Sequence, residues 1–311
     1  MNRIMSLSID HINPIKGLAR EIIKSKGSVD VPGFVDESKL IIVKKENNSW
    51  KKVEDLKIKN IDKIISKGKG RFIGLEDPDI LTINGKKHVY FTIAFKYKHG
   101  YNLYLGHAHG NSLENLEAAS PVLFPSKEIY GFKESCIYEN KIALNEAGVN
   151  VNNEEVSMIS LSKIINPEKW EFKKIILNPL NLKYKWCSGH LSPCRFFPKD
   201  FSINNSILCL INGREKDKKL NGKRAYGKFR PGLMLFNSET CEIPWISPEP
   251  LFEDPDARTI TFASDLITNK DEIIIYYHIN DSVIKEHKIS IEELKNKLNK
   301  INRNIYISID I

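Results

Sequence analysis

His88-Val89-Tyr90-Phe91-Thr92-Ile93-Ala94-Phe95, then Lys98-His99-Gly100, then Tyr101-Asn102-Leu103-Tyr104-Leu105-Gly106, reads as two strands about a turn. Both runs are short, rich in β-branched and aromatic residues, and bounded by turn chemistry. The signature recurs at residues 40–43, 156–161, 207–211, 233–236 and 273–277. Helical patterns are nearly absent between residues 35 and 285. Residues 15–26 read as a short N-terminal helix that the stretch from Gly27 to Gly33 breaks. Ser290 and Glu293 form a capping-box pattern ahead of Leu294 and Leu298, which predicts a C-terminal helix over residues 290–299. Many short strands at regular spacing mean a sandwich, a barrel or a propeller. A single sandwich needs only about 100 residues, and no Pro/Gly/Ser-rich linker divides these 311. The expectation is an all-β chain forming one domain over residues 1–311. Residues 1–35 are then an N-terminal extension, and 290–311 a C-terminal helix and closing segment. Five sheets of about four strands suit this length, although no internal repeat sets the number.

Composition narrows the function. Hydrophobic residues make up 41% and charged residues 28%, ordinary for a chain with a real core. The 47 basic and 39 acidic residues give a net charge of +8. The lysines are scattered rather than gathered on one segment, so no nucleic-acid partner is expected. The densest group is Arg214, Lys216, Lys218, Lys219, Lys223, Arg224, Lys228 and Arg230, which reads first as a solvated loop and second as a site for a phosphorylated ligand. Five cysteines with no Cys-x-x-Cys spacing show neither a disulfide framework nor a zinc site. His107-Ala108-His109 has no evident third ligand, so no metal is expected. No run approaches the ~20 apolar residues of a membrane span. The start lacks the apolar core of a signal peptide, so a cytoplasmic protein without a membrane partner is expected. A homo-oligomer stays open.

Two motifs carry the chemistry. In Gly74-Leu75-Glu76-Asp77-Pro78-Asp79, three carboxylates in four residues repel one another, which can raise a pKa toward the general-acid range. Pro78 stiffens the turn that aims Asp77. Near the other end, Tyr276-Tyr277-His278-Ile279-Asn280-Asp281 joins an aromatic pair to a carboxylate, a combination suited to sugar faces and hydroxyls. Lys133-Glu134-Ser135-Cys136 and Lys185-Trp186-Cys187-Ser188-Gly189-His190 place polar groups just ahead of apparent strands. Taken alone, the first motif reads slightly better as an acidic loop ahead of a hairpin, and the second also reads as a strand ending in an Asn-Asp turn.

In order and spacing these pieces resemble glycoside hydrolase family 130, the mannoside phosphorylases and their hydrolase relatives. That family carries Gly-x-Glu-Asp-Pro-Arg in its first third and Tyr-Tyr-Gly-Ala-Ala-Asp near its end. Residues 207–213 resemble its strand ending in His-Gly, with Asn212 in place of the histidine, and Arg230-Pro231-Gly232 begins the next similar strand. The resemblance implies a five-bladed β-propeller with its site at the mouth of the central channel. It implies Asp77 as general acid in an inverting mechanism and Asp281 as the carboxylate holding the sugar, with inorganic phosphate or water attacking from the opposite face. Glu134, the candidate base, stands where the family has an aspartate, and Glu146 is a second candidate. Glu76, Asp79, Lys185, Trp186, His190, Arg230 and Tyr277 complete the expected substrate-binding set.

The departures fall on the phosphate side. Asp79 replaces the family arginine, and Asn145-Glu146-Ala147-Gly148 stands where another arginine is expected. Phosphate needs dense cationic or N–H donation, which Lys44, Lys185, Arg214 and Arg230 would have to supply. Three readings follow. The first is an inverting glycosidase on a mannoside-like glycoside or oligosaccharide. The second is a phosphorylase or propeller glycosyltransferase using phosphate or a sugar nucleotide, and the third a sugar-binding propeller without chemistry. No other cofactor is expected. Kinship with the arabinanase and fructosidase propellers would exchange the roles, making Asp77 the base and Glu134 the acid.

Overall fold

The structure, a computed structural model, describes residues 3–97, 100–152, 154–220 and 222–307. The expected turn residues Lys98 and His99, and the last four residues of the closing segment, lie outside these. Among the described residues the strands form five antiparallel sheets. The first holds β1 (Arg3–Ile9), β2 (Lys16–Lys26), β3 (Val35–Glu46) and β4 (Ser49–Asp55). A two-residue strand β5 (Ile58–Lys59) and helix α1 (Ile61–Ile65) lead to the second, β6 (Arg71–Ile83), β7 (Lys86–Tyr97), β8 (Gly100–Gly110) and β9 (Leu116–Leu123). The third is β10 (Ile129–Tyr138), β11 (Ile142–Val151), β12 (Glu154–Asn166) and β13 (Lys169–Leu177). The fourth is built from β14 (His190–Phe196), the short β15 (Ser202–Ile203) and β16 (Ser206–Arg214). A hairpin arm, β17 (Lys218–Leu220) and β18 (Lys223–Ala225), precedes its last strands, β19 (Phe229–Asn237) and β20 (Glu242–Ile246). The fifth is β21 (Thr261–Thr268), β22 (Glu272–Ile279) and β23 (Val283–Ser290), followed by helix α2 (Ile291–Ile307).

The first strands of the five sheets touch in a cycle: β1 meets β6, β6 meets β10, β10 meets β14, β14 meets β21, and β21 returns to β1. Five sheets in this cycle are the blades of a five-bladed β-propeller. The core follows from it. Each blade buries both faces against neighbours, so one apolar cluster lies between each adjacent pair. Successive residues of a strand therefore belong to different clusters. Ile273, Ile275 and Tyr277 pack toward the fourth blade, whereas Ile274 and Tyr276 pack toward the first. Two-sided burial explains why these strands read as unbroken apolar runs rather than alternating ones.

Single parallel pairings link neighbouring blades at Ser38 with Gly74 and at Leu103 with Gly131. A side chain at Gly74 would put its Cβ 2.4 Å from the Ser38 carbonyl oxygen, and one at Gly131 would stand 2.2 Å from the Leu103 Cβ. Glycine is needed at both for close approach rather than for backbone twist.

The C-terminal helix is present, and Glu293 N–H donates to Ser290 Oγ at 3.0 Å as its cap. The N-terminal expectation needs correction. Residues 16–26 are a strand, not a helix, and β1 and β2 belong to the first blade rather than to an extension. The continuous buried run from Gly17 to Ile22 leaves no polar helix face; it is a strand covered on both sides.

Candidate functional site

Every inner strand slips register against its partner near mid-length. The slips fall between Met5 and Ser8, Glu76 and Asp79, Lys133 and Ser135, Pro193 and Arg195, and Ala263 and Asp265. A bulge re-aims the side chains around it. At three of the five the backbone is left-handed without glycine, at Ser6 (φ 47°), Asp77 (φ 47°) and Glu134 (φ 43°). Strain of this kind costs roughly 1–3 kcal/mol per residue and persists where the surroundings over-determine it.

Asp77 is the centre of the resulting cluster. Ser6 Oγ donates to its Oδ1 at 3.0 Å, Arg20 Nη1 lies 3.3 Å from the same oxygen, and Lys133 Nζ lies 3.0 Å from Oδ2. Arg20 also holds Glu76 and Asp36, each at 2.9 Å. Beside the cluster is a cavity of about 260 Å³, walled by Arg20, Asp36, Glu76, Lys133, Glu146 and Asp281 together with the rings of Tyr101 and Tyr130. Ser157 Oγ donates to Glu146 at 2.7 Å.

The carboxylates hold different charges. Burial works to protonate Asp77, but the charges of Lys133 and Arg20, with hydrogen bonds from Lys133 and Ser6, hold it well below the usual carboxylate range. Burial pushes Glu76 up to about 7 against the pull of Arg20 and Lys133. Glu134 rises well above its ordinary value, through burial first and the neighbouring Asp77 charge second. Lys133 stays charged despite burial, because Asp77, Glu146 and Glu76 surround it. The site thus sets its carboxylates apart: Asp77 is held ionised, Glu134 is driven toward its protonated form, and Glu76 is poised near neutrality.

A second cavity of about 350 Å³ adjoins the first, sharing Phe34, Tyr101 and Glu155 with it. Its walls carry His190, Arg214, Arg224, Lys96 and Tyr226. The Arg214 guanidinium lies over Tyr226 at 4.6 Å, pairs with Asp217 at 3.1 Å, and keeps a buried Nε without a partner. His190 accepts the Ser157 N–H at 3.1 Å, and burial, with Arg214 and Arg224 nearby, keeps its ring neutral.

The structure thus places Glu76 and Asp281 in the wall of one cavity and sets Asp77 beside it on Arg20 and Lys133; Glu134 lines neither cavity, and His190 lines the adjoining one. Other expected contacts are corrected. Asp79 turns along the channel toward Arg195, at 2.8 Å, and Asp265; burial pushes it up to about 6, and it lines neither cavity. Trp186 is a core residue, 2% exposed, packed against Gly213 and Gly232, with its Nε1–H donated to Ser247 O at 3.0 Å. Tyr277 faces the core between the fourth and fifth blades and donates to Asp254 at 2.5 Å. Arg230 is engaged by Glu215 and Glu253 outside both cavities. Lys185 is solvent-exposed on a short turn, and Lys44 is exposed on β3. Asn212, at the place of the family histidine, exchanges two hydrogen bonds with the Ala263 backbone and ties the fourth blade to the fifth. His107 is buried against Tyr90, and no group of three ligating side chains set to hold a metal occurs among the described residues.

Sequence reading missed Arg20 because its strand looked helical. Asp36, Tyr101 and Tyr130 carried no motif; only the parallel blade contacts bring them to the channel mouth. Among the described residues no helix is long and apolar enough to cross a membrane.

No protein-family model matches the chain, and no curated protein sequence matches it significantly. Solved structures do match. The β-1,2-mannobiose phosphorylase of Listeria innocua, solved with β-1,2-mannobiose, superposes with a TM-score of 0.69 at 13% identity, covering 96% of this chain and 92% of that one. A structure from the GH130 family of mannoside phosphorylases, which contains glycoside hydrolases targeting β-1,2-mannosidic linkages in Candida mannan, gives a TM-score of 0.66 at 14% identity over 94% of this chain and 85% of that one. MPT-1, a GDP-Man-dependent mannosyltransferase of Leishmania mexicana, gives 0.52 at 10% identity over 93% and 85%. Over nearly its whole length, this chain has the fold of the mannoside phosphorylases of glycoside hydrolase family 130.

Proposed function

We propose that this chain is a carbohydrate-active enzyme that cleaves or transfers the glycosidic bond of a mannoside-like sugar by inversion, at the cavity beside Asp77. The observation that carries the reading is the set of carboxylates Glu76, Glu146 and Asp281 lining one cavity, with Asp77 beside it on the buried Arg20 and the partly exposed Lys133, in a propeller of this fold. Asp281 and Glu76 accept hydroxyl hydrogen bonds, while Tyr101 and Tyr130 cover apolar sugar faces. Asp77 is the general acid, although Lys133 and Arg20 hold it ionised. It becomes a donor once substrate oxygens engage Lys133 and release the carboxylate, since losing an opposite charge raises proton affinity. Glu76, poised at about 7, holds the proton until then. Water attack needs an ionised base typically ~6.5–9.5 Å from the acid. Glu146, which lines the cavity, suits this better by position than Glu134, which lines neither cavity and is driven by burial toward its protonated form.

Incubating the protein with β-1,2-mannobiose and other β-mannosides, with and without phosphate, tests the reading. The expected product is mannose or mannose 1-phosphate, lost in Asp77→Asn; no product and no binding with any of them overturns it. The exchanged assignment, Asp77 as base and Glu134 as acid, has the charge pattern itself in its favour. An aryl mannoside with a good leaving group separates the two, because it restores turnover only when the acid has been removed.

Transfer from a phosphate-bearing donor is the second reading. It is favoured by the outer cavity, where Arg214 offers a buried N–H without a partner beside Arg224 and Lys96. Guanidinium forks suit phosphate oxygens. A thermal shift with GDP-mannose, absent in Arg214→Ala, would support it.

A further inference from the structure

We infer that Ser6 and His278 form a positioning relay, built across the seam where the first and last blades meet, which sets the Asp77 and Asp281 carboxylates relative to one another. The inference rests on the sugar-site reading above and adds two residues to it.

Ser6 has two roles. Its Oγ donates to Asp77 Oδ1 at 3.0 Å, and its backbone N–H donates to His278 Nδ1 at 3.4 Å. Both bonds depend on the left-handed backbone at the β1 bulge, which turns the amide and the hydroxyl of one residue toward two different blades. His278 is 2% exposed, with its ring stacked on Phe262 at 5.3 Å between centroids. Because Nδ1 accepts a backbone N–H, the proton of the neutral ring belongs on Nε2, an assignment made from the hydrogen-bond pattern. That nitrogen stands 3.4 Å from Asp281 Oδ1, a carboxylate oxygen of the cavity wall. The same seam pins the turn that carries Asp281. Arg3 Nε donates to Asp281 O at 3.1 Å, and Ile4 N–H donates to Ser282 O at 3.3 Å.

The relay belongs to this chain. Where the resembled segment has Tyr-Tyr-Gly-Ala-Ala-Asp, this one has Tyr276-Tyr277-His278-Ile279-Asn280-Asp281, and a glycine cannot bridge to Asp281. Neither relay residue lines the cavity, so each acts through the carboxylate it holds.

Two conservative variants divide the histidine. His278→Asn keeps an acceptor near Nδ1 and loses the donor toward Asp281, whereas His278→Gln keeps a donor near Nε2. With β-1,2-mannobiose as the titrant, the glutamine variant should bind nearly as the parent does. The asparagine variant, with no donor left beside Asp281, should bind roughly tenfold more weakly. Equal binding by parent and asparagine variants overturns the relay. Ser6→Ala removes a donor from Asp77, so the carboxyl carbon of Asp77, followed by NMR, should titrate at a higher pH than in the parent; an unmoved titration also overturns it. Nitrogen NMR of the His278 ring should show the Nε2–H form in the parent, and the Nδ1–H form contradicts the relay. The last two measurements need no substrate. If the protein binds and turns over no mannoside, the sugar-site reading fails, while the relay stands or falls on the NMR results.

Discussion

Lys133 Nζ reaches Asp77 Oδ2 across 3.0 Å from the neighbouring blade, and this pair sets the charge of the site. The motif around Asp77 supplies three carboxylates whose mutual repulsion, read from sequence, should favour a protonated aspartate. The cations from β2 and β10 reverse the outcome. Opposite charges within about 4 Å in a buried setting outweigh repulsion between neighbouring carboxylates.

Lys133→Met should therefore raise the proton affinity of Asp77 and move the pH-rate limb that Asp77 controls upward, measured as kcat/KM against pH. It should also destabilise the fold by about 3–5 kcal/mol at neutral pH, the usual result of removing one partner of a buried ion pair. The folded-state value of Asp77 is depressed, so its contribution is present above the unfolded value of ~3.9 and lost as pH falls through the folded one. The gap between parent and variant in urea unfolding should shrink below about pH 4.

Glu76 has the opposite sign. Its folded value is raised from 4.5 to about 7, so its contribution is complete below the unfolded value and is lost as pH rises through the folded one. Glu76→Gln should flatten this dependence. Melting temperatures measured from pH 4.5 to 8 should fall more steeply for the parent than for the variant; parallel curves would contradict the elevated value.

Trp186→Ala tests the correction of a predicted sugar platform to a core residue. The change should cost about 3–5 kcal/mol in stability, read by urea unfolding, and leave mannobiose affinity unchanged at a temperature where the variant is folded. Gly232→Ala should also destabilise, because the new Cβ would stand 2.1 Å from Trp186 Cη2.

Arg214→Ala should abolish stabilisation by GDP-mannose or phosphate and leave turnover of an uncharged aryl mannoside largely intact. Loss of both would place Arg214 in the inner site instead of the outer cavity.

Most of the strand content was legible, because each predicted run from 40–43 to 273–277 lies inside a strand of the structure. β-Branched and aromatic runs closed by Asn-Gly, Lys-His-Gly or Asn-Lys turn chemistry are local signals, readable without partners. Residues 16–26 were misread because a strand buried on both faces carries no period of two, and a short apolar run cannot be told from a helix by periodicity alone.

For the site, the sequence by itself singled out four carboxylates as candidates: Glu76 and Asp77 in a stiff turn, Glu134 ahead of its strand, and Asp281 near the other end. It could not decide Trp186 or Tyr277. Their type suits a sugar platform as well as a core, and only their packing against Gly213 and Gly232, and against Phe252, settles the matter. The tertiary structure alone decided the charges. Arg20, Lys133 and Ser6 reach Asp77 from blades distant in sequence, and electrostatic energy depends on separations of 3–4 Å and on burial, neither of which is a property of neighbouring residues in a chain.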